Sequence, residues 1–333
     1  MSAPLSFLLV GAGGISRSYV QALQDSPVAR LSAVVDVRED VARALAERAG
    51  CRGFASLDAA LAAGVPDAAI VCTPPSSHSD VSLALMDRGV HVLCEKPLSV
   101  GSASARRMVD RAAERGVLLT MGSKFRYVDD VIEAKAIVAS GAIGEVVLFE
   151  NAFTSRVDMA RRWNADPAVS GGGVLIDNGT HSVDIVRYFL GPIAEVQAVE
   201  ARRLQSDRVE DTARIFVRSV GGVVANVDLS WTVNKERESF IDVYGSNGTL
   251  RVGWKASAYR TAEASGWTAF GRGYDKVSAF RKQVDNFARA ILEGEPLVIT
   301  SEDALASVQV IDCAYRSLAQ NQWVRVREIA RAA

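Results

Sequence analysis

A segment near the middle of the chain carries side chains suited to proton transfer. Asp177 and His181 lie four residues apart in a helix-length stretch that follows three glycines at 171–173 and runs to about Leu190. On a helix this spacing puts both side chains on one face, one turn apart. A carboxylate one turn before an imidazole can orient the ring and stabilise its charged form, which a histidine general base needs.

A structural interpretation of the same segment stays open at this point. Asp184 continues the polar stripe by one more turn, and the apolar residues of the other face can be buried in a core. An aspartate in the first turns of a helix is favoured by the helix dipole, whatever its function. The histidine beside it could equally be a structural residue with satisfied hydrogen bonds. The other motifs therefore have to decide between the two interpretations.

The composition limits the classes of protein to which the chain can belong. Its 333 residues suit two domains, and an apolar fraction of 49% supports large buried cores. The formal net charge of −1 favours neither nucleic acid nor an anionic membrane surface as a partner. No apolar run is long enough to span a bilayer and the N-terminus shows no signal-like pattern, so we expect a cytoplasmic protein. The four cysteines show no zinc-binding spacing, and no metal is expected.

The hydrophobic patterns predict an α/β fold with two domains of different build. Up to about residue 120, short apolar runs alternate with amphipathic helical segments, which predicts a parallel sheet covered on both faces. Further along, strand-like segments follow one another, which predicts a mostly antiparallel sheet with the 171–190 helix inserted. The stretch 257–275 shows no period and is predicted to be a loop. We place the domain boundary between residues 1–123 and 124–333.

A glycine-rich turn after the first predicted strand indicates a dinucleotide site. In the sequence Gly11-Ala12-Gly13-Gly14-Ile15-Ser16, Gly11 permits a tight turn and Gly13 lets the backbone approach a pyrophosphate at the helix start. Asp36 ends the second strand about twenty residues further on, where a carboxylate can accept hydrogen bonds from ribose hydroxyls. This favours NAD, whereas the nearby Arg38 could accommodate the 2′-phosphate of NADP. A glycine turn in an ordinary α/β domain is the alternative interpretation.

A lysine at the end of another predicted strand adds a third chemical group. Lys96 lies in the sequence Glu95-Lys96-Pro97, at the carboxyl end of a strand, where ligands bind in parallel sheets. Pro97 fixes the local backbone and ends the strand. Taken alone, Lys96 could also be a solvated lysine at a strand end.

In combination, these motifs resemble a known family. The glycine turn, Thr73-Pro74-Pro75-Ser76-Ser77-His78, Glu95-Lys96-Pro97, and the three glycines leading to Asp177 and His181 occur in the order found in the glucose–fructose oxidoreductase, inositol 2-dehydrogenase and rhizopine-catabolism (Gfo/Idh/MocA) family. The resemblance covers essentially the whole chain. It implies an N-terminal Rossmann domain, a C-terminal α+β domain with a large open sheet, and NAD(P)-dependent oxidoreductase activity.

The resemblance also implies roles for individual residues. Lys96, Asp177 and His181 would be the catalytic residues. The cofactor contacts expected from the motifs and the resemblance together are Gly11, Gly13, Gly14, Ile15, Asp36, Val37, Arg38, Cys72, Thr73, Pro74, His78, Glu95 and Lys96. The three glycines are expected to let the chain pass close to the nicotinamide and the substrate.

The substrate contacts are less sharply indicated. The candidates are Lys124, Arg126, Arg162, Trp163, Asn164, Asn178 and Asp184. Lys124 stands where many family members have asparagine, so it could meet a phosphate or carboxylate on the substrate, or it could point to solvent. Aromatic faces suit the C–H side of a sugar ring and arginine suits anions, but the segment with Arg162 and Trp163 could equally be a surface loop.

The resulting hypothesis is a dehydrogenase or reductase that acts on a secondary alcohol or ketone of a sugar, cyclitol or sugar derivative. NAD is the expected cofactor, with NADP as the alternative. The partners would be a small polyol, sugar or sugar nucleotide and further copies of the chain in a homodimer or homotetramer, with no nucleic acid and no membrane. A NAD-dependent glycosidase and a non-catalytic NAD-binding regulator, both types found in the family, are the alternatives.

Overall fold

The chain folds into two compact units. The computed structural model describes residues 3–160, 162–205 and 208–326. The first unit contains Met1–Tyr127 and Lys276–Leu305, and the second contains Val128–Asp275 and Ala306–Ala333. This division differs from the single boundary at 123/124 expected from the sequence, because the chain returns to the first unit at Lys276.

In the described part of the chain, the first unit has a six-stranded parallel sheet in the order β3-β2-β1-β4-β5-β6. Its strands are β1 (Leu5–Val10), β2 (Ala29–Val35), β3 (Arg52–Phe54), β4 (Ala68–Val71), β5 (His91–Glu95) and β6 (Leu119–Gly122). The helices between them are α1 (Ser16–Gln24), α2 (Glu39–Ala49), α3 (Leu57–Ala62), α4 (Pro75–Met86) and α5 (Ser102–Arg115). A short 3₁₀ turn, Lys124–Tyr127, follows β6. The parallel, helix-covered sheet predicted from the alternating pattern is confirmed.

The second unit is built on a larger sheet that is mostly antiparallel. Its described strands follow the order β14-β13-β12-β11-β7-β10-β9-β8-β15, and β7 pairs in parallel with β10. They are β7 (Val146–Thr154), β8 (Ile193–Glu200), β9 (Thr212–Ser219), β10 (Val224–Ser230), β11 (Ser239–Gly245), β12 (Gly248–Gly253), β13 (Ser257–Thr261), β14 (Thr268–Gly271) and β15 (Val324–Arg325). The helices of this part of the chain are α6 (Asp129–Ala139), α7 (Pro167–Ser170) and α8 (Val174–Leu190).

Two long helices complete the described chain, α9 (Lys276–Glu293) and α10 (Ser301–Gln320). Helix α9 belongs to the first unit because its apolar face is part of that unit's core. Phe280 and Phe287 are fully buried there, with the Phe280 ring 4.7 Å from the ring of Tyr19 and the Phe287 ring 6.2 Å from that of Phe7. Such a core is expected from the continuous apolar run of β1, since a parallel sheet is covered on both faces.

Helix α8 packs on one face of the large sheet. Its Phe189 ring lies 5.3 Å from that of Phe149 on β7. At Gly179 a side chain would come within 3.2 Å of Leu229 on β10 and 3.3 Å of Ile311 on α10. A glycine therefore lets the helix approach the sheet closely at this point, despite its low helix propensity.

The prediction of a loop at 257–275 is wrong, since this stretch contains strands β13 and β14. Its ordering comes from contacts that show no hydrophobic period. The Asp130 carboxylate accepts hydrogen bonds from the Arg272 and Gly273 amides at 3.1 and 2.8 Å. The indole of Trp267 lies under the guanidinium groups of Arg251 and Arg260, at 4.6 and 5.3 Å from the ring centroid.

Among the described residues, no helix is both long and apolar enough to cross a membrane. The same residues contain no group of three or more histidine, cysteine, aspartate or glutamate side chains that could hold a metal ion.

Candidate active site

The glycine turn between β1 and α1 has the shape of a dinucleotide cradle. Gly11 adopts a φ of 96°, and a side chain there would lie 2.7 Å from the backbone of Cys72. Gly13 and Gly14 face open space, because a Cβ at either would meet no atom within 4 Å. Ser16 replaces the third glycine of the usual pattern, and its buried hydroxyl donates to the Gly11 carbonyl at 2.6 Å. The serine thus closes the turn and leaves the side for a pyrophosphate open.

Asp36 lies beside this turn, as the ribose-binding hypothesis requires. Its carboxylate accepts a hydrogen bond from the Ala12 amide at 2.8 Å and another from the Arg38 amide at 2.9 Å. The Arg38 guanidinium is 3.4 Å from the same carboxylate and is largely exposed, as is Val37. The acid at the end of β2 is therefore coupled to the glycine turn, and a cation stands next to it. These residues fit the adenosine half of a dinucleotide.

The segments that follow β4 and β5 are joined by a buried histidine. The ring nitrogens Nδ1 and Nε2 of His78 each lie 2.8 Å from a backbone carbonyl, that of Pro97 and that of Thr73 respectively. Burial lowers the pKa of His78, and the two carbonyl partners oppose this shift. His78 therefore holds the Pro97 segment against the Thr73-Pro74 segment. The Thr73 hydroxyl is buried with no hydrogen-bond partner among the described residues, which leaves it available to a ligand.

Glu95 uses both carboxylate oxygens inside the first unit. One oxygen accepts from the Tyr19 hydroxyl at 2.7 Å, and the other from the Lys96 amide at 3.1 Å. Burial raises the pKa of Glu95, while the Tyr19 bond and the charges of Lys96 and Lys124 oppose the shift. Half-buried Lys96 thus follows a buried carboxylate at the carboxyl end of β5. The sequence analysis missed Tyr19, which lies 76 positions before Glu95 and carries no motif.

The two basic candidates after β6 are in different surroundings. The Lys124 ammonium lies over the ring of Phe125, 4.7 Å from its centroid. Arg126 is buried, and its guanidinium is 3.3 Å from the Val298 carbonyl and 3.5 Å from the Asp303 carboxylate. Arg126 therefore has packing partners within the first unit, whatever its part in substrate binding.

Helix α8 presents the predicted acid–base pair from its first two turns. Asp177 and Asn178 are half-buried, whereas His181 is buried and Asp184 is fully inaccessible. The His181 ring meets the Phe153 ring edge-on, with centroids 6.3 Å apart. The opposite face is buried as expected, at Ile176, Val183, Val186 and Phe189. The helix is thus held on both sides, with Asp177 closer to solvent than His181.

The structure shows a steric reason for the glycines before α8 that could not be found from the sequence. A side chain at Gly172 would overlap the Tyr315 hydroxyl, and one at Gly173 would overlap the Glu210 carbonyl. Glu210 and Tyr315 also bond to each other, at 2.8 Å. These glycines allow the chain to pass close to the Glu210–Tyr315 pair within the second unit.

The segment before α7 holds the remaining candidates. Trp163 and Asn164 lie in a short 3₁₀ turn, Trp163–Ala165, directly after Arg162. The indole is 47% exposed, and Arg162 is exposed as well. Both side chains are therefore available for contact with a ligand, and the structure does not bury them in a core.

Two family models match consecutive parts of the chain. Residues 5–123 match the family model described as an oxidoreductase family with an NAD-binding Rossmann fold. Residues 131–251 match the model of the GFO/IDH/MocA C-terminal domain.

Individual relatives cover nearly the whole chain. An inositol 2-dehydrogenase of Rhizobium meliloti (strain 1021) is 26% identical over 96% of this chain and 98% of its own length. A D-xylose 1-dehydrogenase (NADP(+)) of Haloferax volcanii is 30% identical over 94% of this chain and 97% of its own. The crystal structure of GenD2 from gentamicin A biosynthesis, in complex with NAD, superimposes with a TM-score of 0.87 at 30% identity and covers 98% of this chain and 97% of that one. The chain therefore belongs to the Gfo/Idh/MocA family of NAD-binding oxidoreductases.

Proposed function

We propose that this oxidoreductase moves a hydride between NAD and a secondary alcohol or ketone of a sugar, cyclitol or sugar derivative. The relatives that cover the whole chain include enzymes named for inositol and for D-xylose, both polyhydroxylated. The observation that carries the proposal is helix α8, on which half-buried Asp177 precedes buried His181 by one turn in a unit matching the family's C-terminal domain.

Each of the three proposed catalytic residues has a chemical task in the oxidation direction. His181 accepts the proton of the substrate hydroxyl, and Asp177 orients and stabilises the charged imidazole. Lys96 donates a hydrogen bond to the reacting oxygen and offsets the charge that develops on it. His181 and Lys96 can exchange the proton-accepting role. Bound NAD supplies the hydride acceptor, and the protein positions it.

The cofactor site supports NAD over NADP through Asp36. A carboxylate bonded to the Ala12 amide stands where it can accept from ribose hydroxyls and repel a 2′-phosphate. Arg38, whose guanidinium is largely exposed, is the residue that would favour NADP. Titration of the protein with NAD and with NADP decides between them, and tighter NADP binding would contradict the assignment.

The test of function is turnover on a substrate panel. Purified protein with NAD is mixed with sugars, inositols and nucleotide sugars, and the absorbance of reduced cofactor is followed; the reverse reaction is tested with the corresponding ketones. We expect turnover with at least one polyol. Cleavage of aryl glycosides that needs only catalytic NAD would replace the proposal by a glycosidase, and tight NAD binding with neither reaction would replace it by a regulator.

The assembly and the compartment stay predictions. The face of the large sheet turned away from α8 carries half-exposed apolar side chains, including Phe216 and Tyr244 beside ion-paired arginines. We expect a second copy of the chain to cover such a face, in a homodimer or homotetramer. Light scattering coupled to gel filtration measures the mass, and a monomer would contradict this expectation. We also predict that the protein is located in the cytoplasm.

A further inference from the structure

The backbone amides at the start of α8 donate hydrogen bonds to one residue from a distant part of the chain. The amides of Gly173 and Leu175 both donate to the same carboxylate oxygen of Glu210, at 2.9 and 3.0 Å. The amide of Val174, between them, donates to the Glu210 backbone carbonyl at 2.9 Å. Helix starts leave such amides without partners inside the helix, and a local serine, threonine, asparagine or aspartate usually satisfies them. Gly173 at the cap position has no side chain, so Glu210 takes over this task.

A tyrosine fixes the position of Glu210. The Tyr315 hydroxyl, on α10, donates to the carboxylate oxygen that accepts the Gly173 and Leu175 amides, at 2.8 Å. Glu210 is buried, at only 4% exposed, and Tyr315 is half-buried. Burial raises the pKa of Glu210, and the bonds from Tyr315 and the backbone amides oppose that shift. Gly172 and Gly173 make the arrangement sterically possible, because any side chain there would overlap it.

The anchored turn is the one that carries Asp177. The Asp177 amide donates to the Gly173 carbonyl at 3.1 Å, so its backbone depends directly on the glycine that Glu210 holds. Asp177 is half-buried and lies in the turn whose leading amides donate to Glu210, so its position follows from that turn. His181 lies one turn deeper and is buried against Phe153, which holds it independently of the helix start.

We propose that Glu210, held by Tyr315, is a positioning residue that sets the place of Asp177 relative to His181. This inference rests on the proposed function, because it assigns Glu210 a part in the same reaction. The neighbouring acid has a separate task. The Asp211 carboxylate accepts from the Leu204 and Gln205 amides at 2.7 and 2.8 Å, and so orders the preceding loop instead of the helix.

The test compares four variants of the whole protein. Glu210→Ala removes the acceptor, Glu210→Gln keeps an oxygen acceptor without the charge, and Tyr315→Phe removes the hydroxyl that holds the carboxylate. Glu263→Ala is the matched control, since Glu263 is an exposed glutamate of the same unit. Steady-state kinetics, NAD titration and amide hydrogen exchange of the peptide that covers residues 173–181 are measured on each.

We expect Glu210→Ala to lower kcat by about 10- to 100-fold, the loss produced by a misplacement of roughly 1 Å. NAD affinity should stay unchanged, and exchange in the 173–181 peptide should rise while that of α9 does not. Glu210→Gln should recover most of kcat, because its amide oxygen can accept the same bonds. Tyr315→Phe should lie between the two, and Glu263→Ala should match the wild type.

The outcomes separate the inference from the proposed function. Unchanged exchange at residues 173–181 in Glu210→Ala overturns the anchor, with or without a known substrate. Faster exchange with a wild-type kcat overturns the positioning role. If Glu210→Ala does not fold, the other two variants provide the test. The positioning role is then overturned if Tyr315→Phe and Glu210→Gln both have the kcat of the wild type. A wild-type protein without turnover on the whole panel refutes the proposed function, and the exchange data still decide whether Glu210 holds the helix start.

Discussion

The two units each contain a buried glutamate that accepts a hydrogen bond from a tyrosine, and different groups oppose the burial of the two carboxylates. In the first unit the Tyr19 hydroxyl donates to Glu95 at 2.7 Å, directly before Lys96. In the second the Tyr315 hydroxyl donates to Glu210 at 2.8 Å, directly beneath the start of α8. Both pairs thus lie next to residues for which we propose a catalytic role.

The difference is in what opposes the burial of each carboxylate. Burial raises the pKa of both glutamates. At Glu95 the Tyr19 bond and the charges of Lys96 and Lys124 pull the pKa back down, whereas at Glu210 the opposing groups are neutral donors, Tyr315 and the backbone amides. The first site should therefore be sensitive to changes of charge, and the second to changes of shape. This contrast makes predictions that can be ordered by size.

The largest effect is expected for Lys96→Met. The variant keeps most of the side-chain volume and removes the charge and the hydrogen-bond donor, so turnover should fall by about 10³-fold or more while NAD still binds. Kinetics and NAD titration are the measurements, and Lys276→Met, an exposed lysine of the same unit, is the control. Retained turnover in Lys96→Met would sink the proposed mechanism.

The second-largest effect is expected from a substitution that adds volume beside the Glu210–Tyr315 pair. In Gly173→Ala the new methyl group would overlap the Glu210 carbonyl, and the free energy of unfolding should fall by about 1–3 kcal/mol, as for overpacked cores. Gly266→Ala is the control, since a Cβ there meets open space and Gly266 is exposed. Urea denaturation measures both, and equal stability of the two variants would contradict the close approach at Gly173.

A smaller effect is expected from the titration of Glu95. Because its pKa in the folded state is raised above the ordinary 4.5, the native protein binds more protons above that pH than the unfolded chain. Stability of the wild type should therefore fall as pH rises from about 4.5 through the folded-state pKa, by about 1.4 kcal/mol per unit of pKa difference, relative to Glu95→Gln.

Lys124→Met sharpens this test, because loss of the cation raises the Glu95 pKa further. The fall in stability should then extend to higher pH, as followed by urea denaturation across a pH series. If the stability of Lys124→Met and of the wild type depends on pH in the same way, the charge of Lys124 does not lower the pKa of Glu95.

The smallest effect, and one of opposite sign, is expected at His78. Burial holds its folded-state pKa below the ordinary 6.5, so the unfolded chain takes up a proton first as the pH falls. Wild-type stability should therefore decline as the pH falls below about 6.5, and this decline should be weaker in His78→Asn. His91→Asn has to be measured alongside, because burial lowers the pKa of His91 as well. A pH slope that survives when both histidines are replaced together would rule them out as its source.

The parts of the fold that follow from local pattern were predictable. The apolar run of β1, the glycine turn, Asp36 and the amphipathic face of α8 each depend on residues close together in sequence. The tyrosine–glutamate pairs were not predictable, because Glu210 lies 37 positions after Gly173 and Tyr315 lies 105 positions after Glu210. Strands β13 and β14 were missed because arginine–indole stacking and the Asp130 carboxylate order them, and these leave no alternation of apolar residues.

Helix α9 has a consequence for how the protein is made. The core of the first unit includes Phe280 and Phe287, which are translated after the whole of β7 to β14. A ribosome that has released residues 1–127 has therefore delivered a sheet whose apolar face over β1 and α1 still lacks its cover. We infer that most of the nucleotide-binding unit is synthesised first, but that its core is complete only after α9 has been made. A nascent chain that ends before about Glu293 should therefore bind NAD poorly and expose an apolar surface to chaperones.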